Sequence, residues 1–173
     1  DVYKRQLFRR NTVHTAGASE MYKAGARNTI ELNNLSRSGY LQNDGSLIQI
    51  SAKEQDQSKT RYNWVHNSVK IGLRFDNSNL PNSRWGENGS MHHNVAWNCE
   101  SGGIMVKGNN HKIYNNTVLN SGSKNDIIVL QISSGDHSTT IVRNNAADKI
   151  ANHRSNNVAI DFGTYSNNWN GYS

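Results

Sequence analysis

The chain has 173 residues, of which 34% are hydrophobic and 18% charged, and its net charge is +6. No apolar run approaches the length of a membrane span, and a single cysteine, Cys99, excludes an internal disulfide. The basic balance favours polyanionic partners, but no Lys/Arg run or nucleic-acid-binding motif accompanies it, which argues against nucleic acid.

The first six residues, DVYKRQ, stand outside the pattern that follows. They resemble the in-frame translation of a transposon end used in sequencing libraries and are set aside from fold reasoning. Residues 7–173 are read as one domain. From Phe8 onward a single motif recurs, with an Asn as its anchor: Asn11, Asn33, Asn63, Asn94, Asn116 and Asn145, at spacings of 22, 30, 31, 22 and 29. Three residues before each anchor stand Phe8, Ile30, Thr60, Met91, Ile113 and Val142; two after it stand Val13, Leu35, Val65, Ala96, Val118 and Ala147. Eleven of these twelve positions are apolar, far more than the composition supplies, so they are the inward rungs of a column. A unit this short cannot bury its own apolar face, and stacked neighbours must cover it.

Apolar positions five apart with a polar break between them suit two short strands meeting at a bend, not the 3.6-residue period of a helix. A third strand follows in two coils, at Leu73 and Phe75 and at Ile104 and Val106, ten and twelve residues after their anchors. The expected fold is therefore all-β: a single-stranded right-handed parallel β-helix of about six to seven coils. Its anchor amides should stack in file, donating and accepting along the axis, at a bend where Asn tolerates left-handed backbone. The 27 Asn and 14 Gly against one Pro fit a molecule of short strands and tight bends.

The segments IELNNLSRSG, MHHNVAWNC, IYNNTVLNSG and IVRNNAADK resemble the repeats of the pectate-lyase-like superfamily of right-handed parallel β-helix proteins. GLRFD followed by GIMVKGNNHKIYNNTV is also similar to secreted bacterial members of that group. The resemblance spans roughly Phe8 to Lys149. It implies an extracellular or periplasmic monomer that meets an acidic polysaccharide, and it leaves the activity open among lyases, hydrolases, epimerases, tailspikes and adhesins.

Three coils exceed 22 residues, and such insertions map to loops, often on a binding face. They lie around 42–59, 77–90 and 121–137. The second, NSNLPNSRWGENGS, carries Arg84, Trp85 and Glu87 and leaves the strand GLRFD, where alternation turns Leu73 and Phe75 inward and Arg74 and Asp76 outward. One coil on, Met105 and Lys107 turn outward, and Asp76 and Lys107 share a register position. Arg74, Asp76 and Lys107 are thus expected on one open face beside the loop.

That trio suits β-elimination on a uronate polysaccharide. Arg74 or Arg84 would neutralise the sugar carboxylate, Lys107 would take the C5 proton, and Trp85 would offer a face to a sugar ring. Asp76 and Glu87 would contact substrate, and the resemblance adds Ca²⁺ on Asp76 as a further role. Asp76 with Glu87 or Glu100 is the pair available to a hydrolase. The bland alternative is a cross-strand ion pair between Asp76 and Lys107, worth a few tenths to about 1 kcal/mol.

His92 and His93 cannot easily share a metal, since neighbours on a strand point to opposite sides. Alternation from Met91 places His92 outward, a candidate for proton transfer, and turns His93 partly in, towards the bend; His66 and His111 are weaker candidates. Beyond Lys149 the register blurs. AIDFG at 159–163 reads as a strand, TYSNNWN opens another coil with Asn168 as anchor, and the chain reads as an interior slice of a longer solenoid.

Overall fold

The computed structural model describes residues 5–18, 20–42, 44–51, 55–76, 86–122, 124–130, 137–154 and 163–171. Three parallel sheets form a parallel β-helix. The first runs β1 (Leu7–Arg9), β4 (Thr29–Glu31), β7 (Lys59–Arg61), β10 (Ser90–His92), β13 (Lys112–Tyr114), β16 (Ile141–Arg143) and β19 (Thr164–Ser166). The second runs β2 (Thr12–Ala16), β5 (Asn34–Ser38), β8 (Trp64–Ser68), β11 (Val95–Cys99), β14 (Thr117–Leu119), β17 (Ala146–Ala147) and β20 (Trp169–Asn170). The third holds β3 (Tyr22–Ala24), β6 (Ser46–Ser51), β9 (Ile71–Asp76), β12 (Ile104–Val106), β15 (Ile127–Val129) and β18 (Ile150–Ala151).

The register is the one the spacing predicts. Phe8 pairs with Ile30, Ile30 with Thr60, Thr60 with Met91, Met91 with Ile113 and Ile113 with Val142. On the second sheet Val13, Leu35, Val65, Ala96, Val118 and Ala147 pair in the same way. With Leu73, Phe75, Ile104 and Val106 from the third sheet they make one continuous core along the axis. The C-terminal coil keeps step, Tyr165 pairing with Val142 and Trp169 with Ala146. Residues 159–162 of the expected strand AIDFG lie outside the described residues. Arg5 and Gln6 bond to the second coil, Arg5 N–H to the Ala26 carbonyl at 3.1 Å and Gln6 N–H to Asn28 Oδ1 at 2.8 Å.

The anchors stand in file. Asn11 donates from Nδ2 to Asn33 Oδ1 at 3.0 Å, Asn33 to Asn63 at 2.9 Å, and Asn63 to Asn94 at 3.0 Å. The file continues from Asn94 to Asn116 and from Asn116 to Asn145, both at 3.0 Å, and from Asn145 to Asn168 at 2.9 Å. Each Oδ1 also accepts the preceding anchor's backbone N–H, as Asn94 does from Asn63 at 3.1 Å. The second Nδ2 hydrogen reaches back to the carbonyl of a first-sheet rung, Ile30 in the case of Asn63 at 2.9 Å. One amide thereby satisfies backbone groups that the bend takes out of the ladder.

The left-handed residue is not the anchor itself, as the sequence suggested, but the one before it. Arg10, Leu32, Tyr62, His93, Asn115, Asn144 and Asn167 have φ of 57, 56, 56, 55, 54, 54 and 52°. A second left-handed file lies four residues after the anchors, at Thr15, Arg37, Asn67, Asn98 and Asn120. A third lies six before them, at Arg5, Arg27, Gln57, Asn88 and Asn110. The anchors themselves are not among the left-handed residues, and their side chains bridge coils along the axis.

Candidate functional site

The outer side of the third sheet carries the charged trio of the sequence reading. Pairing sets Gln49 beside Arg74, Arg74 beside Met105, and Met105 beside Ile128, all on the face away from the core. One position on, Lys107 continues β12, its N–H donating to the Phe75 carbonyl at 2.9 Å. Gly108 then turns at φ +102°, where an added Cβ would lie 2.0 Å from the Gly86 carbonyl oxygen, so the return of the chain to Gly86 requires glycine.

Arg74 and Lys107 converge on one oxygen. Arg74 Nη2 lies 2.9 Å and Lys107 Nζ 2.7 Å from Asp76 Oδ1. Arg74 Nη1 stands 3.4 Å from Asp44 Oδ1, which takes Lys70 Nζ at 2.7 Å. The result is an alternating chain, Lys70–Asp44–Arg74–Asp76–Lys107. Hydrogen bonding and charge from Lys70 hold the Asp44 carboxyl below its usual range. Gln55 Nε2 donates to the Asp76 carbonyl and pins that end of β9.

This face is not open, which corrects the sequence expectation. Arg74 is 6%, Lys107 5% and Met105 1% exposed, and Met105, Ile71 and Ile128 form a small apolar cluster apart from the main core. Alternation states which side of a sheet a residue takes, not whether that side meets water, and parallel sheets are commonly covered on both faces. Arg74 Nε is buried with no hydrogen-bond partner among the described residues.

Immediately beside the ion chain lies a small cavity of about 90 Å³, lined by Lys70, Ile71, Arg74, Ser101, Met105, Lys124 and Arg154. Four of these residues are cations and none is a carboxylate. Among the described residues neither Lys124 nor Arg154 makes an ion pair. Sequence reasoning missed Lys70, Lys124 and Arg154, because they come from three different coils and none belongs to a motif.

The remaining candidates scatter. Glu87 is exposed and bridges to Asn109; Glu100 is exposed in the turn before β12; Arg84 and Trp85 lie outside the described residues. His92 belongs to the first sheet, not the third. His92 takes the outer face, as alternation from the core residue Met91 predicts, but Tyr114 and Tyr62 cover it and it is 7% exposed; His93, expected partly inward, is the exposed one, because it takes the left-handed turn. His92 Nδ1 lies 2.8 Å from His93 Nδ1, and its ring stacks on Tyr114 at 4.7 Å. Burial, then the neighbouring charges of His93, Arg61 and Lys59, push its pKa down to about 4.

His111 is also buried and lowered to about 4, burial being the main cause. Its Nδ1 accepts the Gly89 N–H at 3.1 Å, so its Nε2 donates to the Lys107 carbonyl at 3.1 Å and braces the end of β12.

No group of three or more His, Cys, Asp or Glu side chains suited to a metal occurs among the described residues. Asp76 does not fit the Ca²⁺ role: two cations already crowd the oxygen it would offer. No helix among the described residues is long and apolar enough to cross a membrane. Comparison with protein-family models, with curated proteins and with solved structures finds no match.

Proposed function

We propose that this β-helix binds an acidic polysaccharide, holding one anionic group of the chain in the cavity between Lys70, Arg74, Lys124 and Arg154. The observation that carries the reading is the four-cation lining, with Lys124 and Arg154 in no ion pair and a buried Arg74 Nε without an acceptor among the described residues. A sugar carboxylate or sulfate ester supplies the missing acceptor. A volume of about 90 Å³ holds one such group and not a whole ring. Charge-assisted bonds from a guanidinium are the strong kind, and burial of Arg74 keeps them from being screened.

Binding without cleavage is favoured over β-elimination by the state of Lys107. A base must reach the C5 proton; Lys107 is 5% exposed and held 2.7 Å from Asp76. The fold itself fits either a carbohydrate-active or an adhesin-like scaffold, and the lyase reading retains the nearness of Arg74 to Lys107 in its favour.

The test is affinity electrophoresis of the full chain through gels containing alginate, pectate or a sulfated glycan, with Lys124→Ala and Arg154→Ala compared. Retardation by at least one polyanion, weakened roughly tenfold in the double variant, is expected. Equal mobility with and without every polyanion overturns the reading. Release of unsaturated products, read by ultraviolet absorbance, would promote the lyase alternative instead.

A further inference from the structure

A second surface lies on the opposite part of the coil, outside the bend that holds the Asn file. There the residues just before and just after the anchors diverge and leave a groove of about 540 Å³. One wall is Arg10, Leu32, Tyr62 and His93; the other is Thr12, Asn34 and Trp64; the floor is Asn11 and Asn33. Leu32, Tyr62 and Trp64 are 42, 44 and 58% exposed.

The wall before the anchors is built where backbone chemistry argues against it. All its members have left-handed φ, a conformation that Asn tolerates and bulky side chains rarely adopt. The fifth, sixth and seventh coils obey that preference with Asn115, Asn144 and Asn167. In the fourth coil the other two bends carry Asn88 and Asn98 and this one His93; in the third, Asn67 obeys while Tyr62 and Gln57 do not, and in the first two coils all three bends carry other residues. Across the first four coils this wall holds no Asn although Asn suits its backbone, and at Leu32 and Tyr62 the result is exposed apolar and aromatic surface.

The side chains are held ready. His93 has both ring nitrogens engaged, Nδ1 with His92 at 2.8 Å and Nε2 with Asn115 Nδ2 at 3.0 Å, so it offers a ring face. Tyr62 lies 4.9 Å from that ring, with the Arg61 guanidinium 5.8 Å from its own centroid. Trp64 is propped edge-on by Trp97 at 6.4 Å, and Trp97 is stacked on His66 at 4.1 Å. Asn34 Oδ1 takes His66 Nε2 at 3.1 Å, which leaves the Asn34 amide N–H groups for a ligand.

We infer that this groove is a saccharide-binding site that takes an extended oligosaccharide lengthwise along the stacked coils. Aromatic faces suit the C–H faces of pyranose rings, and the Asn34 and Thr12 polar groups suit ring hydroxyls. Coils repeat every ~4.8 Å, close to the advance of one sugar in an extended chain, so successive units meet equivalent positions on successive coils. Arg10 at one end takes a carboxylate-bearing unit. The groove and the cation cavity are separate sites and can fail separately.

The experiment compares the full chain with Trp64→Ala and with the double variant Leu32→Asn, Tyr62→Asn, against soluble hexamers of alginate, pectate, xylan and β-glucan by calorimetry. Expected is binding of at least one hexamer that Trp64→Ala weakens roughly tenfold. The double variant should lose binding while melting no lower than the parent, since Asn suits the left-handed bend. The double variant also keeps the test valid should Trp64→Ala disturb Trp97. Unchanged affinity in both variants, no binding of any hexamer, or binding abolished by Lys124→Ala and Arg154→Ala alone overturns the groove. The last of these outcomes would leave the cation cavity standing.

Discussion

Thr60 is the single polar rung among the inward positions, and the structure makes it a liability. It is fully buried between Ile30 and Met91, and its hydroxyl has no hydrogen-bond partner among the described residues. Thr60→Val removes an unsatisfied donor and keeps the shape, and should stabilise the chain by about 1 kcal/mol; a denaturant midpoint that falls would contradict this. His111 supplies a second residue-level prediction. Its imidazole must stay neutral to accept from Gly89, and its pKa falls from 6.5 unfolded to about 4 folded. Between these values the unfolded chain binds more protons, so stability is complete above about pH 6.5 and drains away as pH drops towards 4. Around pH 5, above the carboxylate range, the loss from His111 is about 2 kcal/mol, with His92 adding to it in the same direction. Urea unfolding at pH 7 and pH 5 reads the difference, and equal midpoints would refute it.

At the scale of the element, the Asn file converts a repeated bend into a continuous structure, and its members are not equivalent. Replacing Asn63 with Ala strands the Asn33 N–H and one Asn33 Nδ2 hydrogen, and frees the Ile30 carbonyl, all in a buried setting. Asn63→Ala should therefore cost about 3–5 kcal/mol. Asn11 is the first of the file, half-buried, and among the described residues its side chain only donates; Asn11→Ala should cost about 1 kcal/mol. Thermal melts of the two variants check the order, and equal losses would mean that the file contributes no cooperativity. The register of this file was legible in advance because an amide that must bridge coils recurs at each coil whatever the insertions between. The left-handed position before it was not: Arg10, Leu32, Tyr62 and His93 share no side-chain chemistry, and only their backbone unites them.

Across the whole molecule, the two proposed sites lie on different parts of each coil, one over the third sheet and one over the bend between the first and second. Their salt responses should differ. Retention attributable to Lys124 and Arg154 should decline steeply between 50 and 300 mM salt, as contacts to a polyanion do, whereas hexamer binding that depends on Trp64 should decline little. Calorimetry of the two sets of variants across that range separates them; identical slopes would argue for a single site.

What the sequence determined by itself was the solenoid: inward rungs, anchors and third strand follow from spacing, since an apolar residue that must stack on its counterpart one coil away is constrained in one dimension. The cross-coil pairing of Asp76 with Lys107 followed from the same count. What only the tertiary structure decided was access. Whether Arg74, Lys107 and His92 meet water depends on what covers the outer faces of their sheets, and the exposure of His93 depends on the left-handed turn it takes. The gathering of Lys70, Lys124 and Arg154 depends on how loops of unequal length close. Periodicity carries position along and around the coil, but burial is set by all the neighbours in three dimensions, and no spacing encodes it.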